Sequence, residues 1–155
     1  MDKRTFAEHE YQALVERGAI PWPPKKGMIY QPTNIWGDII ALPDDTTVGT
    51  FCDIGCPNIG HGCRIQTGVS IPPGWFIGNN VFIGPGARFA NDRHHSIKEH
   101  FTPEVGIVED GACIGMGALI LPVHIGKGAI IGAGAVVKDD VPDGETWVGN
   151  PAKKK

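Results

Sequence analysis

Branched aliphatic residues recur along this chain on a fixed step. Val48, Ile54, Ile59, Ile65, Ile71, Ile77, Ile83 and Phe89 stand six residues apart, except for a five-residue step from Ile54 to Ile59. Val108, Ile114, Ile120, Ile125, Ile131 and Val137 repeat the pattern, again with one five-residue step, and Val148 follows after 11. Glycine often comes next, as in Val48-Gly49, Ile77-Gly78, Ile83-Gly84, Ile114-Gly115 and Ile131-Gly132. Period six is neither the 3.6 of a helix nor the alternation of a two-faced strand. It predicts a parallel β-helix in which each hexad makes one flat side and one corner, and three hexads close a triangular coil. The inward aliphatic then stacks on its counterpart about 4.8 Å away in the next coil. Glycine suits the corner, which needs backbone freedom.

Two segments depart from the grid. Thr5-Phe6-Ala7-Glu8 reads as a capping box, and Ala7, Tyr11, Leu14 and Val15 follow at helical spacing up to Gly18. Residues 1–34 are therefore expected to form a short helix with a Pro-rich lead-in that caps one end of the column. Residues 35–153 are expected to form the β-helix, with an irregular first coil between Ile35 and Leu42. The second departure runs from Asn91 to Gly106, which carries no hexad and predicts an extruded loop. It holds His94, His95 and His100 among charged neighbours. Long loops inside compact repeats are usually functional.

Composition agrees with the grid. The chain has 18 Ile and 11 Val against 4 Leu, which disfavours a helical bundle. The 22 Gly and 13 Pro, which without a period would suggest disorder, become corners once they are placed on the hexads. A formal charge of −3 gives no general attraction to nucleic acid or to an anionic membrane. Met1-Asp2-Lys3-Arg4 leads into polar sequence and no apolar run spans a bilayer, so a cytoplasmic location is expected. Cys52, Cys56, Cys63 and Cys113 are read as reduced thiols, mostly buried along the column.

The repeat, the loop and the ending Val148-Gly149-Asn150-Pro151-Ala152-Lys153 together resemble the hexapeptide-repeat acyltransferases, which are left-handed parallel β-helices. The most specific stretches are Gly111-Ala112-Cys113-Ile114-Gly115-Met116-Gly117-Ala118 and the run from Ile131 to Pro142. Phe89-Ala90-Asn91-Asp92 at the loop start is similar to the sugar-nucleotide N-acetyltransferases of surface-polysaccharide biosynthesis. Those enzymes often continue with Pro-Arg; here His94-His95-Ser96 stands, closer to the sugar O-acetyltransferases, in which a loop histidine is the general base.

The resemblance implies a cyclic homotrimer, acetyl-CoA as co-substrate, an amino sugar or sugar nucleotide as acceptor, and no metal. It places the base at His94, with Asn91 and Asp92 positioning the acceptor or orienting an imidazole. Gly117, Ala118, Ala133 and Ala135 are the expected pantetheine contacts at the corners, and Lys138 and Lys153 the expected partners of the CoA phosphates.

Two further readings share the fold. Ile59-Gly60-His61-Gly62-Cys63 resembles a segment of the γ-class carbonic anhydrases, which bind zinc through three His, but the additional His five residues earlier falls here at Cys56. A non-catalytic trimeric binding scaffold is the other. His124 is read as a surface or interface residue.

Overall fold

The computed structural model describes residues 29–35, 42–56, 58–94 and 102–155. The expected N-terminal helix, most of the irregular first coil, His95 and His100 lie outside the described residues.

The hexads form a left-handed parallel β-helix. Its first face stacks Asn34–Ile35, Asp53–Ile54, Ser70–Ile71, Arg88–Phe89, Leu119–Ile120 and Val136–Val137. The second stacks Asn58–Ile59, Trp75–Ile77, Gly106–Val108 and His124–Ile125. The third stacks Thr47–Val48, Arg64–Ile65, Phe82–Ile83, Cys113–Ile114, Ile130–Ile131 and Thr146–Val148, and ends on Lys153–Lys154, which turns back antiparallel. Rungs pair in register, Ile54 with Ile71 and Ile114 with Ile131. Backbone amides bond from coil to coil, as from Gly49 to Ile65 at 2.8 Å and from Gly115 to Ile131 at 2.8 Å.

Fourteen grid positions, from Val48 to Val137, are buried. A second inward position lies two residues before many of them: Cys52, Cys63, Val69, Val81, Ala87, Ala112, Ala118, Ala129 and Ala135 are also buried. The two-residue alternation of a strand produces this, so most of these rungs pair a large inward side chain with a smaller one, while Trp75 makes the rung of Ile77 large at both positions.

The grid fails at its last member. Ile131 pairs with Trp147, not with Val148, which is 40 % exposed. The connection from Val137 lacks hexad spacing, and the register shifts by one. A side chain on Gly132 would collide with Val148, whose Cγ1 would lie 2.7 Å from its Cβ, so the glycine provides the seat for the displaced valine. Trp147 packs against the end of the core and donates its indole N–H to Glu145 Oε2 at 2.8 Å.

Corner glycines serve two different needs. A Cβ on Gly115 would run into the backbone of the next coil, 2.6 Å from the Gly132 carbonyl carbon and 2.7 Å from the Ile131 carbonyl oxygen. Gly117 has open space around it but sits at φ 67°. Gly115→Ala is therefore expected to cost about 2–3 kcal/mol through forced coil separation, and Gly117→Ala only about 1 kcal/mol through left-handed strain. Urea midpoints of the two variants check this, and the reverse ranking contradicts it.

Three cysteines belong to the column. Cys52 donates to the Gln66 carbonyl at 3.0 Å, Cys56 to Trp75 at 2.8 Å and Cys63 to Gly78 at 3.1 Å. Burial pushes the Cys56 thiol up to about 11 from its ordinary 9.0. A folded value above the unfolded one means that this contribution to stability is complete below pH 9 and is lost as pH rises through 11. Native protein at pH 8 should leave these three thiols unalkylated and unfolded protein should expose them, as read by mass spectrometry.

Candidate active site

The chain leaves the column once among the described residues, after Arg88–Phe89 on the first face, and returns at Gly106–Val108 on the second. Trp75 lies fully buried beneath this exit. Its indole N–H donates to the Ala90 carbonyl at 2.7 Å, and its ring meets Phe89 edge-on, with centroids 4.8 Å apart. A Cβ on Gly106 would fall 2.5 Å from the indole ring, so the returning strand needs a glycine to pass it.

The limbs of the loop are tied to each other and to the coils on both sides. Asn91 donates its amide to the Pro73 carbonyl at 3.2 Å, and its own carbonyl accepts from Glu104 N–H at 2.9 Å. Arg93 reaches the other way, to the carbonyls of Pro122 and Lys138 (3.1 Å for the latter), while its N–H donates to Glu104 Oε1 at 2.9 Å. Asp92 Oδ1 accepts the His94 N–H at 2.7 Å, a local turn that Asp favours. Asn91 and Asp92 thus fix the loop base, and the exposed His94 stands just beyond it.

Arg93 was legible in the sequence only as a loop charge. Its role depends on carbonyls 29 and 45 residues away.

The corner candidates divide. Gly117 and Ala133 are exposed where the third face meets the first. Ala118 and Ala135 point into the column and are fully buried, with amides that bond within their own corners to Gly115 and Gly132. Exposed apolar residues flank the open pair: Met116 at 61 %, Leu119 at 48 % and Ile130 at 45 %.

Lys138 and Lys153 converge on one carboxylate, with Nζ 3.2 Å and 3.5 Å from Asp139 Oδ2. The hydrogen bond and charge of Lys138 hold the Asp139 carboxyl below its ordinary range, with Lys153 adding to the effect. Two cations and one anion leave net positive charge at this solvent-exposed point.

The remaining edge, from the second face to the third, carries a ladder of side-chain oxygens. Asn79 Oδ1 accepts the His61 N–H at 2.9 Å, Asp110 Oδ1 the Asn79 N–H at 2.6 Å, and Asp143 Oδ1 the Lys127 N–H at 2.9 Å. Gly60 and Gly78 leave room for the first two oxygens, which a Cβ would approach to 2.7 and 2.5 Å. The Asn79 amides hold the Asp110 carboxyl below its ordinary range. The pattern breaks where the next corner offers Lys127 instead of Asx; there Glu109 replaces glycine and pairs with His124, Oε1 to Nε2 at 2.6 Å.

His61 on this edge faces Asp45, Nδ1 to Oδ1 at 3.2 Å, while the Cys63 thiol points into the column. Among the described residues no three His, Cys, Asp or Glu side chains come together as metal ligands.

Comparison with known proteins agrees with this geometry. Residues 106–138 match the family model described as the hexapeptide repeat of succinyl-transferase. The chain is a hexapeptide-repeat protein. It is 36 % identical over 114 residues to the bifunctional protein GlmU of Rubrobacter xylanophilus, covering 73 % of this chain and 23 % of that protein. This hexapeptide-repeat chain thus spans under a quarter of the length of that relative.

Among solved structures, a mutant of AntD, an N-acyltransferase from Bacillus cereus in complex with dTDP-4-amino-4,6-dideoxyglucose and coenzyme A, superposes with a TM-score of 0.72 at 22 % identity, over 84 % of this chain and 80 % of that one. A mutant of perosamine N-acetyltransferase from Caulobacter crescentus, in complex with CoA and GDP-perosamine, gives 0.68 at 23 % identity, over 93 % and 61 %. At these identities the hexapeptide-repeat chain shares their fold.

Proposed function

We propose that this chain is an acetyl-CoA-dependent acetyltransferase that acetylates the amino group of a nucleotide-linked amino sugar in surface-polysaccharide biosynthesis. It works in the cytoplasm as a cyclic homotrimer. The observation that carries the reading is the loop base: the one point among the described residues where the chain leaves the column, tied to the coils below and above it, presents an exposed histidine. That the superposing structures hold CoA and amino-sugar nucleotides supports this choice of substrates.

The donor lies along the edge bearing Gly117 and Ala133, where the lack of bulky side chains lets a narrow pantetheine chain approach backbone and where Met116, Leu119 and Ile130 supply apolar contact. A smooth prism edge gives no deep pocket, so a second copy closes the crevice. Lys138, just past the last strand of the first face, and Lys153, on the terminal strand, meet the phosphates as point charges. Ala118 and Ala135 hold the edge from within.

In the reaction, the neutral amine attacks the thioester carbonyl carbon, and the carbon–sulfur bond breaks with its electron pair going to sulfur. The proton leaving nitrogen passes to His94 and then to the CoA thiolate. Imidazole suits this because its ordinary pKa lies near 6.5. Titration of the full chain with acetyl-CoA alone should show saturable binding. No binding at millimolar donor would overturn the reading.

A further inference from the structure

Arg93 stands one residue before His94, and its side chain turns back onto the protein's own backbone. Its two terminal nitrogens donate to the carbonyls of Pro122 and Lys138, the latter at 3.1 Å. Its Nε lies 3.5 Å from Glu104 Oε2, while its backbone N–H donates to Glu104 Oε1 at 2.9 Å. Pro122 and Lys138 lie just past the first-face strands Leu119–Ile120 and Val136–Val137, which pair with each other in the coils beyond the loop. Their carbonyls are therefore about 4.8 Å apart, one coil step, which a single planar guanidinium can bridge.

We propose that Arg93 is the positioning residue for His94: it braces the outgoing limb of the loop against two coils of the column, and Glu104 ties the same residue to the returning limb. This rests on the acetyltransferase reading and adds the group that sets where its base stands.

The two ends of the brace are not equally firm. The column end is held without Arg93, because the Leu121 N–H donates to the Val137 carbonyl at 2.9 Å and the His124 N–H to Asp140 Oδ1 at 2.8 Å. On the loop, the turn in which Asp92 accepts the His94 N–H fixes local shape. Arg93 and Glu104 fix where that turn sits. Removing the guanidinium therefore releases the loop and leaves the column as it is.

The geometry also selects arginine. Lysine would bring one point charge, able to reach a carbonyl or Glu104 but not two carbonyls and a carboxylate together. The ion pair is solvent-exposed, 37 % at Arg93 and 41 % at Glu104, so it adds little to global stability. Its effect on rate is larger, since a misplacement of about 1 Å can cost about 100-fold.

The test uses the full chain with acetyl-CoA and two probes, dTDP-4-amino-4,6-dideoxyglucose and GDP-perosamine. Arg93→Met should lower kcat for the better probe about tenfold or more, with the KM for acetyl-CoA and the urea midpoint unchanged. Arg93→Lys should recover little of that loss. Arg93→Met combined with His94→Ala should be no slower than His94→Ala alone, because a brace acts only through the group it places. Losses that multiply in the double variant, or a kcat near wild type in Arg93→Met, would overturn the inference while leaving the acetyltransferase reading intact.

A second readout needs no acceptor. Followed by NMR, the amide protons of residue 93 and His94 should exchange about tenfold faster or more in Arg93→Met, with that of Leu121 unchanged. Unchanged exchange at both loop amides would overturn the brace even if activity fell. If wild type acetylates neither probe, the acetyltransferase reading loses its support, and faster loop exchange in Arg93→Met still upholds the brace.

Discussion

His94→Ala is expected to lower acetyl transfer about 100-fold or more while acetyl-CoA binding is retained, because a positioned base contributes roughly 10²–10⁴-fold. The expectation follows from how the residue is held. Its N–H is fixed by Asp92, its neighbour Arg93 grips the carbonyls of two successive coils, and Glu104 closes the turn from the returning limb. A loop side chain anchored in this way can meet a substrate at a defined place without ordering the segment anew in each turnover. The change should appear in kcat and in the acidic limb of the pH profile rather than in the affinity for acetyl-CoA. Turnover within a fewfold of wild type would show instead that the proton leaving the nitrogen passes to solvent or directly to the CoA thiolate, with no protein base.

Trp75→Ala is expected to be the most damaging single change to the fold described here, costing about 3–5 kcal/mol. Among the described residues Trp75 is the largest side chain that is completely buried, so alanine leaves a cavity in the column. The same change strips the Ala90 carbonyl of its partner at the point where the loop departs. Trp75→Phe separates the two effects. It keeps most of the volume, loses one hydrogen bond worth about 1 kcal/mol, and should lower kcat beyond what that stability loss explains, because the loop base shifts. A Trp75→Ala protein with a urea midpoint near wild type would contradict this.

Much of the fold was legible from Ile and Val alone. Inward aliphatics on a six-residue step give the prism directly, since each must stack on the one a coil away. What escaped has identifiable causes. The six-residue grid points Val148 inward only across the Val137–Trp147 connection, where no hexad spacing holds, and Trp147 takes the inward slot instead. Ala118 and Ala135 read as small corner residues beside glycines, yet strand alternation from Ile120 and Val137 turns both inward. The alternation was present in the sequence, and Val69 and Val81 show the same offset from their own grid positions.

The site was less legible than the fold because its partnerships cross coils. Lys138 and Lys153 meet at Asp139 only once the terminal strand turns back on Thr146–Val148. Arg93 finds its carbonyl partners only when the coils beyond the loop are stacked. Glu109 and His124 lie one coil apart, so the pair becomes visible when the chain is wrapped on its own period.

The most direct measurement is the mass of the acceptor after incubation with acetyl-CoA and the full chain. The nucleotide-linked amino sugar that serves as acceptor should gain about 42 Da, one acetyl group on its amine, with one free CoA thiol released per sugar modified, and His94→Ala should form that product about 100-fold more slowly. Thiol release without acetylated sugar, or no product from any nucleotide-linked amino sugar despite acetyl-CoA binding, would contradict the assignment.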